Sequence, residues 1–307
     1  LTVAGVKIWL KSAWRHGLAH PISALSLIIP LFATIGLLVQ SAISISFGHP
    51  IETIKLALAA GFGGFLATTI GAIPALFLKG VPQKIEDTML GFAAGMMLAA
   101  SAFSLIIPGI EVGQAMTGAR STGVGLVACG LILGSFLMLG LEQFTPHEHQ
   151  HAGGFGVGVK GLRRTWLFVF AIALHNLPEG MAMGVSFSRA DWSVGLPIST
   201  AIAIQDIPEG LAVALTMRAS NVRPLVAFFV ASLTGLLEPL GALVGATLAS
   251  GTQFAYPVGL GFAAGAMIFV VSHEVIPETH RNGHQTPSTM GLMLGFLIMM
   301  ILDTAMG

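Results

Sequence analysis

The sequence predicts an all-α polytopic membrane protein, and three observations carry that prediction. Of its 307 residues 54% are hydrophobic and only 9% are charged, against about 25% charged in an ordinary soluble domain. Mean hydropathy is +0.84. The apolar residues also gather into nine stretches, 22–47, 53–78, 87–108, 121–142, 165–187, 194–217, 222–247, 256–279 and 287–306, designated spans A to I. Each reaches or approaches the roughly 20 residues that a helix needs to cross a bilayer. No hydrophilic segment is long enough to form a soluble domain of its own.

Span A follows a cationic segment, yet its long apolar run has no recognisable cleavage site, so it reads as an additional N-terminal helix rather than a signal peptide. Ahead of it, Trp9, Leu10 and Trp14 oppose Lys7, Lys11 and Arg15, the pattern of an amphipathic anchor over Val6 to His20. A cytoplasmic N-terminus places 11 of the 14 basic residues on the inner side, leaving only Lys55, Arg120 and Arg189 outside. The C-terminus is then extracytoplasmic. Dropping span A would leave eight spans and the same orientation for B to I.

In span C, Glu86 and Asp87 occupy the first turn, where a helix N-terminus favours negative charge. Gly91-Phe-Ala-Ala-Gly-Met-Met-Leu98 of span C recurs as Gly261-Phe-Ala-Ala-Gly-Ala-Met-Ile268 of span H, each followed by polar residues and a proline. Because C starts inside and H outside, the pair suggests two inverted halves. Ser101, Ser104 and Glu111 run toward the outer end of C, and His273, Glu274, Glu278 and His280 line the corresponding end of H. We expect these to form an outer entrance funnel. Between D and E, the long connection 143–164 carries His147, Glu148, His149 and His151. Such a loop either collects weakly bound metal or serves as a solvated linker.

Formal net charge is zero, with no basic cluster dense enough to follow a phosphate backbone, so nucleic-acid binding finds no support. The single cysteine, Cys129, excludes an intrachain disulfide and a cysteine-rich metal site.

Spans E, F and G carry the chemistry. His175-Asn-Leu-Pro-Glu-Gly180 and Gln205-Asp-Ile-Pro-Glu-Gly210 repeat thirty residues apart, inside two very apolar stretches. Spacings of three and four place Asn176 and His175 on the face of Glu179, and Asp206 and Gln205 on the face of Glu209. Pro178 and Pro208 release the carbonyls of Leu174 and Ile204. In span G, Pro239 stands beside Glu238 and would release Gly235. Prolines in a membrane helix require neighbours that satisfy the freed groups, so three such helices describe the walls of one polar cavity. The four carboxylates of Glu179, Asp206, Glu209 and Glu238 balance two divalent cations. Without metal they cannot all stay charged in so poor a dielectric, so metal and protons compete for them. A purely architectural role would leave unexplained a cost of roughly 2.5 to 3.5 kcal/mol for a central carboxylate.

On the two Pro-Glu-Gly segments the chain resembles the ZIP family of zinc and iron permeases, and particularly its bacterial branch, over about residues 53–307. The resemblance implies an eight-helix core with span A added. His175, Glu179, Gln205 and Glu209, with Met97, would hold a first metal. Asn176, Asp206 and Glu238 would hold a second, with Glu179 and Glu209 bridging. The family commonly has histidine where Gln205 stands, so metal preference is not carried over unchanged. Also implied are a transport unit (53–78 and 165–247) sliding against a scaffold (87–142 and 256–306), a homodimer, and residence in the bacterial inner membrane. The expected function is import of Zn²⁺, with Cd²⁺ as the first substitute and Fe²⁺ or Mn²⁺ after it. Two alternatives stand beside it: a divalent-metal exporter, and an intramembrane metallohydrolase, for which no His-Glu-x-x-His pair is present.

Overall fold

A computed structural model describes residues 51–78, 81–144, 147–149, 153–155, 164–188, 190, 192–250 and 254–306, with six isolated positions between 21 and 43. Apart from those positions, span A lies outside the described residues, as does the amphipathic segment before it. From residue 51 the elements are α1 (Ile51–Ala72, running into a 3-10 turn), α2 (Gln83–Ala99), α3 (Ile107–Thr117), α4 (Arg120–Phe144), α5 (Arg164–Ser186), α6 (Trp192–Ala219), α7 (Pro224–Thr234), α8 (Leu237–Ser250), α9 (Ala255–Val270), α10 (Ile276–Thr279) and α11 (Gln285–Met306). Among the described residues, seven continuous helical stretches are long and apolar enough to cross a membrane. The 23-residue α5 is an eighth helix of crossing length, about 35 Å at 1.5 Å per residue. The connection 143–164 contributes a short antiparallel backbone hairpin, β1 (His147–His149) on β2 (Gly153–Phe155), with His149 opposite Gly153. His151 lies outside the described residues.

The repeated segments of spans C and H share their local structure. α2 passes through a π-helical segment, Ala100–Ile106, into α3, and α9 passes through Val271–Val275 into α10. In each, the amide just before the proline reaches back five residues, Ile107 to the Ala102 carbonyl and Ile276 to that of Val271. Pro108 and Pro277 each lack an amide hydrogen and crowd the carbonyl four residues earlier. One extra residue in the turn absorbs that crowding without breaking the helix.

Span G differs from expectation. It breaks into α7 and α8 at Gly235-Leu236, and the Gly235 carbonyl, expected to be left free by Pro239, accepts the Glu238 amide at 3.1 Å. Glu238 consequently sits in the first turn of α8, where its proline neighbour costs no internal helix bond.

Glycines set the packing, because helices in lipid associate through close van der Waals approach rather than a hydrophobic drive. A Cβ on Gly95 would fall 1.9 Å from the Leu292 carbonyl oxygen of α11, and one on Gly295 would fall 2.0 Å from that of Phe92. The same reciprocal arrangement joins α4 to α9 and α5 to α8, while Gly71 and Gly210 serve α1 and α6. These four are the most extensive helix pairs among the described residues. α1, α5, α6, α7 and α8 pack together around the polar segments, whereas α2 pairs with α11 and α4 with α9 on the other side. Large apolar side chains such as Leu66, Phe229 and Met293 face outward, as contact with hydrocarbon requires.

At one end of the bundle, buried Asp87 gathers three donors: Gln83 at 3.1 Å, Asn282 at 3.0 Å and the His284 imidazole at 2.7 Å. The last two lie almost two hundred residues away in the chain and tie the segment before α11 to the start of α2. Asp87→Ala removes the acceptor that all three share; the donors are exposed or half-buried and water replaces part of the loss, so each bond is worth about 0.5–1.5 kcal/mol. Its expected signature is a lowered unfolding temperature of the purified protein in detergent, partly restored in Asp87→Asn. An unchanged melting curve for the alanine variant would contradict this.

Candidate metal centre

Seven polar side chains meet where α5, α6 and α8 converge. His175, Asn176 and Glu179 come from α5, Gln205, Asp206 and Glu209 from α6, and Glu238 from α8; none is more than 3% exposed. Pro178 and Pro208 stand inside continuous helices, with Pro197 a further interior proline of α6. Helical periodicity thus delivers the ligands to one wall of each helix, and the glycine-mediated approach of α5 to α8 brings the third contributor in.

The two repeated segments touch. Gln205 Nε2 donates to Glu179 Oε1 at 2.6 Å, and Asn176 Nδ2 donates to Glu238 Oε1 at 3.2 Å. Glu179, Asp206 and Glu209 each present a carboxylate oxygen, and these lie within 4.8 Å of one another. Glu238 adds a fourth buried carboxylate, tied to this group through Asn176. Four carboxylates buried this close together cannot all carry charge unless a cation or protons balance them.

The donor set fits a divalent cation. Both ring nitrogens of His175, both oxygens of Asp206, and one oxygen each of Glu179, Gln205, Glu209, Glu238 and Asn176 are buried without a hydrogen-bond partner in the protein. Buried polar atoms are normally paired; the unpaired ones here surround the point where carboxylate oxygens of Glu179, Asp206 and Glu209 converge, and a coordinating ion would satisfy those three. Imidazole, carboxylate and amide oxygen suit Zn²⁺ and its first-row neighbours.

Met97 is buried near the end of α2, in the apolar cluster that also contains Met183 and Ile202 of α5 and α6. The residues expected to share an entrance funnel are not brought together. Ser104 donates to Asp303 near the end of α11, and exposed Glu111 lies further along α3. Glu278, by contrast, lines a cavity of about 270 Å³ with Glu86, Asp87 and Asn282. That cavity sits at the start of α2, about 25 Å along the chain axis from Ser104 at 1.5 Å per residue. The single funnel is therefore corrected to two separate ends. α9 and α10 run opposite to α2 and α3, so the close of span H meets the opening of span C. His273 and Glu274 lie between, in the π segment of that descending helix, with His273 stacked on Phe269.

Sequence reasoning missed the contribution of α1. Thr68, 1% exposed, donates to Glu238 Oε1 at 2.9 Å. Its only sequence signal is a hydroxyl in an apolar span, which many lipid-facing helices share.

A family model described as ZIP zinc transporter matches residues 146–303, just over half of the chain and the part containing all seven polar residues. The chain belongs to the ZIP family. Among ZIP relatives, the zinc transporter ZIPB of Bordetella bronchiseptica is 52% identical over 299 residues, covering 97% of both chains. Zinc transporter GufA of Myxococcus xanthus is 40% identical over 241 residues, 78% of this chain and 95% of its own. The human zinc transporter ZIP11 is 28% identical over 341 residues, covering 85% of this chain and 99% of its own. ZIP relatives of bacterial and animal origin thus align with most of this chain.

Proposed function

We propose that this protein is a ZIP-type permease that imports divalent metal, Zn²⁺ first and Cd²⁺ readily, across the bacterial inner membrane. The observation that carries the reading is the buried trio Glu179, Asp206 and Glu209, whose oxygens converge within 4.8 Å beside partnerless His175. Binding alone accounts for each of these features, without a catalytic role for either glutamate. In the proposed two-ion arrangement His175, Glu179, Gln205 and Glu209, with Met97, hold the first ion. Asn176, Asp206 and Glu238 hold the second, and Glu179 and Glu209 bridge. Fe²⁺ and Mn²⁺ are weaker candidates for the same ligands.

The division into a transport unit and a scaffold draws support from the packing. Helices α1 and α5–α8 surround every proposed ligand but Met97, whereas α2 with α11 and α4 with α9 form separate glycine-joined pairs. An elevator-type slide of the first group against the second, two inverted halves and a homodimer through the scaffold complete the proposal by family resemblance. Orientation rests on the basic residues: Lys84, Arg218 and Arg281 adjoin in sequence Gln83, Ala219 and Asn282, which line the Asp87 cavity, and we assign that end to the cytoplasm. That cavity is lined by three carboxylates, Glu86, Asp87 and Glu278, and an acidic mouth of this kind suits an ion leaving inward.

Reconstitution into proteoliposomes of known orientation tests the direction. Zn²⁺ applied to the extracytoplasmic face accumulates in the lumen corresponding to the cytoplasm, and Glu209→Ala loses the flux. Accumulation only in the reverse direction would identify an exporter, and peptide cleavage without flux a hydrolase.

A further inference from the structure

Both oxygens of the Glu238 carboxylate lie against α1, a helix that supplies no ligand in the two-ion arrangement. Oε1 accepts the Thr68 hydroxyl at 2.9 Å and the Asn176 amide at 3.2 Å. Oε2 occupies a notch left by Gly64, where an added Cβ would fall 1.6 Å from it. Gly64 and Thr68 are four apart and so share one face of α1. The Thr68 hydroxyl has a second acceptor, the Gly64 carbonyl at 3.2 Å. Its single proton can therefore turn from Glu238 to its own helix when a cation claims Oε1, leaving the hydroxyl satisfied in both states.

We propose that Thr68 is a positioning residue for the second metal ion: with Gly64 it fixes the carboxylate of Glu238 so that this side chain meets the ion beside Asp206. The inference rests on the two-ion reading above. A glutamate reaching from the first turn of α8 has three side-chain torsions, and contacts on both of its oxygens restrict them. The threonine hydroxyl and the glycine notch hold the carboxylate from the α1 side. They make α1 part of the second site without coordinating it.

Thr68→Val keeps the shape and removes the hydroxyl. Outer partners of metal ligands are typically worth about 10- to 100-fold in affinity, and a loss of that size is expected for the second Zn²⁺ alone. The first Zn²⁺ retains its affinity in calorimetric titration and its peak in an anomalous-scattering map. Thr68→Ser restores the second, which a purely space-filling role would not require. Thr68→Ala, with less bulk, provides the same hydroxyl deletion should valine impair folding. Wild-type affinity for both ions in the folded valine or alanine variant overturns the positioning role, as does equal loss at both sites. A wild-type protein that binds a single Zn²⁺ overturns the two-ion reading itself, whatever the Thr68 variants do.

Discussion

Replacing Glu179 by glutamine abolishes metal-dependent stabilisation and transport while making the metal-free protein more stable. The hydrogen bond from Gln205 at 2.6 Å ends on Glu179 Oε1, and the glutamine carbonyl can keep it. What disappears is one of four crowded buried carboxylates that cannot all ionise without metal, so the apo fold gains. The cation loses a ligand that, in the proposed arrangement, serves both ions. An outer partner of a ligand is already worth about 10- to 100-fold; deleting the ligand's charge costs at least about 100-fold. Zinc at a hundred times the wild-type dissociation constant stabilises the folded state by about 2.7 kcal/mol. At the same zinc concentration the variant shows almost none of that. Thermal unfolding with and without Zn²⁺ reads both effects in one experiment. A variant that melts lower without metal, or keeps the zinc shift, contradicts the placement of Glu179 at the centre of the site.

A single methyl group at Gly180 is expected to be nearly as damaging. Its Cβ would lie 2.0 Å from the carbonyl oxygen of Glu238, and backbone cannot turn aside as a side chain can. Gly180→Ala therefore pushes α5 from α8, lengthening the contact of Asn176 with Glu238. Overpacking of this kind costs about 1–3 kcal/mol, and the site loses its third helix. Gly63→Ala provides the contrast, since its Cβ meets nothing within 4 Å. There alanine is the better helix former by up to about 1 kcal/mol, so stability is unchanged or raised. Equal effects of the two substitutions, on melting temperature or on Zn²⁺ uptake, would show that close approach of α5 and α8 does not govern the site.

The candidate site was legible in the sequence to the extent that its members share a local period. His175 with Glu179, and Gln205 with Glu209, are one helical turn apart, and a charge inside an apolar run stands out against its surroundings. Glu238 could be recruited for the same reason. Thr68 and Gly64 carry no charge and resemble ordinary membrane-helix residues, so nothing local marks them. The misplaced entrance has a different origin. The basic residues already set spans C and H running in opposite directions, so the close of H belongs beside the opening of C, and grouping both ends in one funnel overlooked that orientation. Asp87 and His284 have no local relation.

The sequence by itself determined the class of the protein, the boundaries of most spans and the polar faces of α5 and α6. Hydropathy and the 3.6-residue turn act over short stretches of chain, and both are written residue by residue. Only the tertiary structure decided that span G breaks at Gly235, that three carboxylates converge within 4.8 Å, and that α1 holds Glu238. Those outcomes depend on which glycine faces which carbonyl across a helix pair. Proline, too, acts through what surrounds it: Pro178 and Pro208 sit in unbroken helices, Pro108 and Pro277 follow π segments, and Pro239 lies just after a break. The residue is the same in all five places, and the packing around it selects the result.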